Sequence, residues 1–109
     1  MDKPPVSSAT QLRYDEIAAG LAGAGVTASS MFGMPTLKRN GKAIGGLWGD
    51  AMTFKLAPDA VAEALRLEGT QQFDPSGLGR PMKAWVVVPF AQSGEWERFA
   101  QLALAASDG

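Results

Sequence analysis

The chain has 109 residues, no cysteine, no histidine, and a formal net charge of −1. Its length suits one domain, and a hydrophobic fraction of 46% with 19% charged residues excludes a disordered chain. The absence of cysteine and histidine excludes disulfides, thiolate nucleophiles and histidine-based catalysis or metal ligation, and the charge balance offers no global attraction to nucleic acid.

The domain organisation is predicted to be simple. No apolar run approaches the roughly 20 residues that a helix needs to cross a bilayer, and the first residues, MDKPPVSSATQ, lack the apolar core of a signal peptide. We therefore expect a cytoplasmic protein without membrane contact. Residues 1–9 are predicted to be a flexible leader, residues 10–106 a single domain and residues 107–109 a tail.

A first helix is predicted after the leader. Ser8 and Thr10 are candidate N-caps. Gly23 and Gly25 are predicted to end the helix. Apolar residues between them recur at the spacing of one helical face, and these are Tyr14, Ile17, Ala18, Leu21 and Ala22.

A three-stranded antiparallel meander is predicted next. Asn40-Gly41 fits a type I′ turn, whose two central residues both have positive φ, so strands are expected at Thr36–Arg39 and Lys42–Trp48. Gly49-Asp50 marks a second tight turn. The alternation of Met52, Phe54 and Leu56 with smaller or polar residues predicts the third strand.

The remainder predicts a helix, a loop, a strand and a last helix. Pro58 suits the first turn of the second helix, and Gly69 is expected to end it. FDPSGLGRP has the composition of a loop, whereas MKAWVVVP is apolar on both faces, as in a central strand or one buried in an interface. Ser93 is a candidate N-cap of the final helix, whose apolar face comprises Trp96, Phe99, Ala100, Ala103 and Leu104.

Three local strings, taken in order, carry a resemblance to a known family. They are Met31-Phe32-Gly33, Gly41-Lys42 before LWGDAMTFKL, and Gly79-Arg80-Pro81-Met82 before the strand that ends at Pro89. With the order of the predicted elements, they make nearly the whole chain resemble the TfoX N-terminal domain family of small bacterial α+β domains. The resemblance implies a helix, a meander, a second helix, further strand pairing and a closing helix.

The predicted fold class is α+β with two layers, in which an antiparallel sheet of four to five strands carries helices at the N-terminus, the middle and the C-terminus. The predicted function is a non-catalytic regulatory or interaction module without a cofactor or metal. An enzyme would have to use a pair such as Ser76 and Lys83, and turn chemistry already explains residues 74–77. We expect a protein partner, and the doubly apolar MKAWVVVP allows a homodimer.

The alternative function is the binding of a small anion or of nucleic acid by the basic hairpin and the loop around Arg80. The candidate contacts are Lys38, Arg39, Lys42, Arg80 and Lys83, with Trp48 or Trp85 available to stack on bases. The candidate lining of an apolar pocket beside them is Phe32, Met34 and Trp85, although core packing alone also explains large apolar residues. Gly45-Gly46 is interpreted as a bulge or a close backbone approach.

Overall fold

The computed structural model describes residues 6–31, 34–74, 79 and 82–107. Within these ranges the chain forms a six-stranded sheet of order β1-β2-β3-β4-β6-β5 and three α-helices, so the predicted α+β class is confirmed, with six strands instead of four to five. Every neighbouring pair of strands is antiparallel. The strands are β1 (Val26–Met31), β2 (Met34–Arg39), β3 (Lys42–Trp48), β4 (Ala51–Lys55), β5 (Gln71–Phe73) and β6 (Met82–Pro89), and the helices are α1 (Ser8–Leu21), α2 (Pro58–Leu65) and α3 (Trp96–Ala106).

All three helices pack on the same side of the sheet and share one hydrophobic core with it. The apolar positions predicted from helical spacing supply the helix side of that core, and strand residues such as Phe54, Val86 and Val88 supply the sheet side. Val86, Val88, Trp96 and Phe99 have no measurable solvent exposure. The fold is therefore two-layered, and the second side of the sheet carries no helix from the described part of the chain.

Helix α1 begins earlier than the sequence predicts. Its N-cap is Ser7, whose hydroxyl accepts a hydrogen bond from the backbone N–H of Thr10 at 3.3 Å, so neither Ser8 nor Thr10 is the cap. The backbone N–H of Ser7 donates to the Asp50 carboxylate at 2.6 Å. This bond fixes the start of α1 to the turn between β3 and β4, and residues 8 and 9 belong to the helix and not to a leader.

The two predicted turns of the meander are confirmed. Asn40 and Gly41 have φ values of 54° and 78°, as a type I′ turn requires, and Arg39 pairs with Lys42 across it. Gly49 has φ 60° in the second turn, which joins β3 to β4. A bulge in β3 displaces the register with β2 at Ile44, which allows this extra residue to join the core.

The sequence analysis missed β5, which it placed within a loop. This strand has three residues, two of them glutamine, and it forms one edge of the sheet against β6. Helix α2 starts at Pro58 as predicted but ends at Leu65, four residues before Gly69. Gly69 has φ 84° in the turn that leads to β5, so its conformation serves that turn and not the helix cap.

Strand β6 is internal, because it hydrogen bonds to β4 on one side and to β5 on the other. Both backbone edges of β6 are therefore paired within this sheet, and the homodimer that its two apolar faces allow stays a prediction. Ser93 lies inside a short 3₁₀ helix at Phe90–Glu95, and Glu95 is the N-cap position of α3, where its side chain makes no capping hydrogen bond. The Trp96 indole N–H donates to the Val88 carbonyl at 3.1 Å, which joins α3 to the sheet inside the core.

Candidate functional site

The candidate site lies on the side of the sheet that faces away from the helices. Because side chains alternate along a strand, Leu37 and Phe54 face the helices while Thr36 and Thr53 face the other side. We call this other side the open face. Its register positions are Met34, Thr36 and Lys38 of β2, Ala43, Gly46 and Trp48 of β3, Ala51, Thr53 and Lys55 of β4, and Trp85 and Val87 of β6.

A cavity of about 170 Å³ opens on this face. Two of the three residues predicted to line a pocket, Met34 and Trp85, lie in its wall, and the third, Phe32, lies outside the described residues. A volume of this order fits one aromatic ring, since an apolar cavity of about 150 Å³ in another protein binds benzene. The wall also includes the side chains of Thr36, Ala43, Thr53, Phe73 and Met82.

Gly46 gives this cavity its depth. It pairs with Thr36 on β2 and with Thr53 on β4, so it lies at the centre of the open face. A Cβ atom added at Gly46 would lie 2.6 Å from the carbonyl oxygen of Pro35, closer than non-bonded atoms approach. The interpretation of Gly45-Gly46 as a bulge or close backbone approach is confirmed, because the bulge lies beside Gly45 and the approach occurs at Gly46.

Aromatic side chains form one side of the open face. The rings of Trp48 and Phe73 meet edge to face, with centroids 5.3 Å apart. Phe73 comes from β5, the strand that the sequence analysis missed, and Trp85 lies on the adjacent β6. All three aromatic residues are partly exposed, so they belong to a surface and not to the interior of the core.

The polar side chains of the cavity wall are those of two threonines. The Thr36 hydroxyl donates to the carbonyl oxygen of Met34 at 3.0 Å, which keeps it within the sheet. Thr36 and Thr53 are both buried, at 7% and 6% exposure. No acidic or basic residue lines this cavity within the described part of the chain. The side chains of the cavity wall are therefore apolar apart from these two threonines.

Charge is distributed unevenly between the two layers. The six described strands contain five basic residues and no acidic one. On the open face, Lys38 pairs with Ala43 and Lys55 pairs with Trp85, so both lysines stand beside residues of the cavity wall. Lys83 follows Met82 along β6 and is exposed. We call Lys38, Lys55 and Lys83 the lysine rim.

The predicted basic hairpin does not form one surface. Lys38 lies on the open face, whereas its neighbour Arg39 lies on the side of the helices together with Lys42. The Arg39 guanidinium donates to the Ser107 hydroxyl at 3.0 Å and approaches the Leu104 carbonyl at 3.5 Å. Arg39 thus contacts the carboxyl end of α3, where a cation is favourable because backbone carbonyls are unpaired there.

A second cavity, of about 430 Å³, lies between this hairpin and the end of α3. Arg39, Lys42 and Lys55 contribute to its lining, which also includes Ser107 and apolar residues of β3 and α3. This cavity is the place where the structure brings predicted basic residues together. Arg39 and Lys42 of the hairpin line this cavity, and Lys38 does not.

Only part of the loop before β6 is described. Arg80, a predicted contact, lies outside the described residues, and so does Ser76. The backbone N–H of Gly79 donates to the Asp74 carboxylate at 3.0 Å. The Lys83 carbonyl accepts a hydrogen bond from the Gln72 side-chain amide at 3.4 Å, which holds β5 against β6 beside the cavity.

The clear pKa shifts belong to residues away from both cavities. The backbone hydrogen bond from Ser7 lowers the pKa of Asp50 below its ordinary value. Burial raises the pKa of the Tyr14 hydroxyl to about 12, with a smaller contribution from the negative charge of Asp15. The hydrogen bond to the Glu95 carboxylate raises the pKa of Arg98. None of these three groups lines the open-face cavity or the second cavity.

Among the described residues, no group of three or more acidic, histidine or cysteine side chains is placed to hold a metal ion. The described helices include none with the length and apolar character needed to cross a membrane. Comparison of the chain with models of protein families, with curated proteins and with solved structures finds no match.

Proposed function

We propose that this protein is a non-catalytic interaction module of the TfoX N-terminal type, which binds a protein partner through the open face of its sheet. The observation that carries the proposal is the cavity of about 170 Å³ on the side of the sheet without helices. Partly exposed Met34, Phe73 and Trp85 surround it. Methionine and aromatic side chains are enriched at protein interfaces, where they supply most of the contact energy.

The chemistry of the lining supports binding over catalysis. Proton transfer or nucleophilic attack needs a titratable or activated group within reach of the reacting atoms. The described lining offers apolar side chains, two threonine hydroxyls and backbone atoms. Such a lining gives affinity and shape selectivity without a general acid or base.

The proposal is tested with a labelled peptide that carries one tryptophan between serine and glycine residues. Fluorescence anisotropy measures its binding to the protein. A matched peptide with alanine in place of the tryptophan is the ligand control. We expect the tryptophan peptide to bind at least tenfold more tightly, which corresponds to about 1.4 kcal/mol from burial of one ring.

A cavity-filling variant locates the binding. Ala43→Leu adds a branched side chain to the cavity wall, whereas Ala62→Leu adds the same side chain at an exposed position of α2. Because Ala43 also contributes to the second cavity, Lys42→Ser, which changes the second cavity alone, is measured beside it and is expected to preserve the preference for tryptophan. We expect Ala43→Leu to abolish the preference for tryptophan and Ala62→Leu to preserve it, with far-ultraviolet circular dichroism unchanged in both. Equal binding of the two peptides, or a preference that survives Ala43→Leu, would contradict the proposal.

A second candidate function is the binding of a small anion in the second cavity. The observation in its favour is the convergence of Lys42 and Lys55 with Arg39 around a space of about 430 Å³. Titration calorimetry with inorganic phosphate tests it, with Lys42→Ser as the variant and Lys38→Ser as the matched control on the open face. Heat that is lost in Lys42→Ser alone supports this function, and the absence of heat in the wild-type protein rejects it.

A further inference from the structure

The lysines beside the open-face cavity indicate what kind of segment the cavity accepts. Lys38 and Lys55 pair in register with Ala43 and Trp85 of the wall, and Lys83 follows Met82 of the wall in sequence. Lys55 and Lys83 are exposed and Lys38 is half-buried. No lysine lines the cavity itself, but the register places Lys38 and Lys55 next to residues of its wall on the open face.

No carboxylate on the strands offsets these charges. The acidic residues of the regular elements lie in the helix layer, at Asp15, Glu16, Asp59, Glu63, Glu95 and Glu97. Asp50 follows β3, but its carboxylate accepts a hydrogen bond from Ser7 at the start of α1. The carboxylate nearest the wall in sequence is Asp74, which follows Phe73 and accepts a hydrogen bond from the Gly79 N–H. Because the Debye length at physiological salt is about 8 Å, the acidic residues of the helix layer are largely screened from the open face, where three lysines outnumber this one carboxylate.

We propose that the cavity accepts an aromatic side chain from an acidic segment of the partner protein, whose flanking carboxylates contact the lysine rim. This inference rests on the proposed function and specifies its ligand. The ring fills the apolar space between Met34 and Trp85, and the carboxylates form ion pairs at the surrounding surface. Charged groups around an apolar contact chiefly set orientation and association rate, whereas the buried ring supplies most of the affinity.

The same cations and aromatic rings raise the possibility of single-stranded nucleic acid, and the geometry favours the peptide. Stacking of bases needs ring faces that are free on one side. The rings of Trp48 and Phe73 contact each other edge to face, so a base that stacks between them would have to displace this contact. Arg39, which is suited to contact phosphate, is hydrogen bonded at the end of α3 on the other side of the sheet.

The experiment compares four labelled probes by fluorescence anisotropy. They are a peptide with one tryptophan between glutamates, the same peptide with the glutamates replaced by glutamine, the glutamate peptide with alanine for tryptophan, and a single-stranded oligodeoxynucleotide. We expect the glutamate-tryptophan peptide to bind at least tenfold more tightly than each of the other three. Its affinity, unlike that of the glutamine peptide, is expected to fall as salt is raised.

Two double variants test whether the lysine rim provides the electrostatic contribution to peptide binding. Lys38→Ser with Lys55→Ser removes two charges from the lysine rim, and Lys42→Ser with Arg66→Ser removes two charges from exposed positions away from the open face. Both variants have the same net charge. We expect the rim variant to bind the glutamate peptide only as weakly as the wild-type protein binds the glutamine peptide. The control variant is expected to bind the glutamate peptide with the affinity of the wild-type protein.

The outcomes separate this inference from the proposed function. Equal affinity for the glutamate and glutamine peptides, with both lost in Ala43→Leu, overturns the acidic ligand and leaves the open-face function intact. Failure of every tryptophan peptide to bind overturns both. Tightest binding by the oligonucleotide, lost in the rim variant, overturns the peptide in favour of nucleic acid. Equal binding by the alanine peptide overturns the aromatic anchor.

Discussion

An alanine at position 46 would place its Cβ 2.6 Å from the Pro35 carbonyl oxygen, and both strands would have to separate to accept it. We therefore expect Gly46→Ala to lower the free energy of unfolding by about 1–3 kcal/mol. Gly20→Ala is the control, because Gly20 lies in α1 with no atom within 4 Å of an added Cβ, and we expect it to stabilise by about 0.5–1 kcal/mol. Urea unfolding measures both changes. A Gly46→Ala protein as stable as the wild type would show that the strands do not approach so closely.

The buried Tyr14 hydroxyl has no hydrogen-bond partner among the residues that the structure describes. Because an unpaired buried polar group opposes folding, we expect Tyr14→Phe to raise the free energy of unfolding by about 1 kcal/mol at neutral pH. Urea unfolding provides this measurement. A loss of more than about 1 kcal/mol would mean that the hydroxyl is hydrogen bonded after all.

The ionisation of Tyr14 also makes the free energy of unfolding depend on pH in alkaline solution. The pKa of Tyr14 is raised from 10.0 to about 12 in the folded protein, so the unfolded state releases the proton first. Burial disfavours the ionised form, so the free energy of unfolding is unaffected by this titration below pH 10 and falls as the pH rises from 10 to 12, by about 2–3 kcal/mol in all. Tyr14 is the chain's one tyrosine, so phenolate absorbance reports its titration directly. A titration midpoint near pH 10 for the folded protein would contradict this assignment. So would an equal loss of stability between pH 10 and 12 in Tyr14→Phe.

At the scale of elements, the β2–β3 hairpin and α3 are joined by Arg39. Its guanidinium contacts the Ser107 hydroxyl and the Leu104 carbonyl at the carboxyl end of the helix. We expect Arg39→Ala to lower the free energy of unfolding by about 1 kcal/mol. Lys42→Ala, at the exposed residue that pairs with Arg39, is expected to change it by less than about 0.5 kcal/mol. Thermal unfolding measures both changes. Equal destabilisation by Arg39→Ala and Lys42→Ala would show that the loss of a positive charge, and not of this contact, lowers the stability.

The elements that the sequence predicts well have strong local signals. Asn40-Gly41 determines the hairpin because few residue pairs adopt positive φ at both positions, and the helical spacing of Tyr14, Ile17 and Leu21 marks a buried face. β5 carries no comparable signal, since a three-residue edge strand obtains its conformation from pairing with β6. The cap of α1 was misplaced by one residue because Ser7 and Ser8 have the same side chain, and the contact with Asp50 is long-range.

At the scale of the whole molecule, part of the candidate site was predictable from composition and alternation. Met34 and Trp85 were identified as pocket residues because large apolar side chains stood near basic ones. The grouping of Lys38 with Arg39 failed because adjacent strand residues face opposite sides of the sheet. Phe73 and Met82 were not identified, since they join the cavity through the β5–β6 pairing, which sequence spacing does not reveal.

The separation of charge between the layers is also a property of the whole molecule. The net charge of −1 conceals strands with five basic residues and no acidic one beneath helices that carry acidic groups. A count over the chain cannot show this, because the strands are interrupted by helices and turns in sequence. The strand order brings the lysines to one sheet, and alternation selects those that reach the open face.

The most direct test of the open-face site follows the three indole N–H signals of the protein by two-dimensional nuclear magnetic resonance during titration with an unlabelled acidic tryptophan peptide. Trp85 lies in the cavity wall, Trp48 lies on the same face, and Trp96 is buried with its N–H bonded to the Val88 carbonyl. We expect the Trp85 signal to move most, the Trp48 signal to move less and the Trp96 signal to remain fixed. A titration that leaves Trp85 unchanged, or shifts Trp96 as much as Trp85, would contradict binding at the open face.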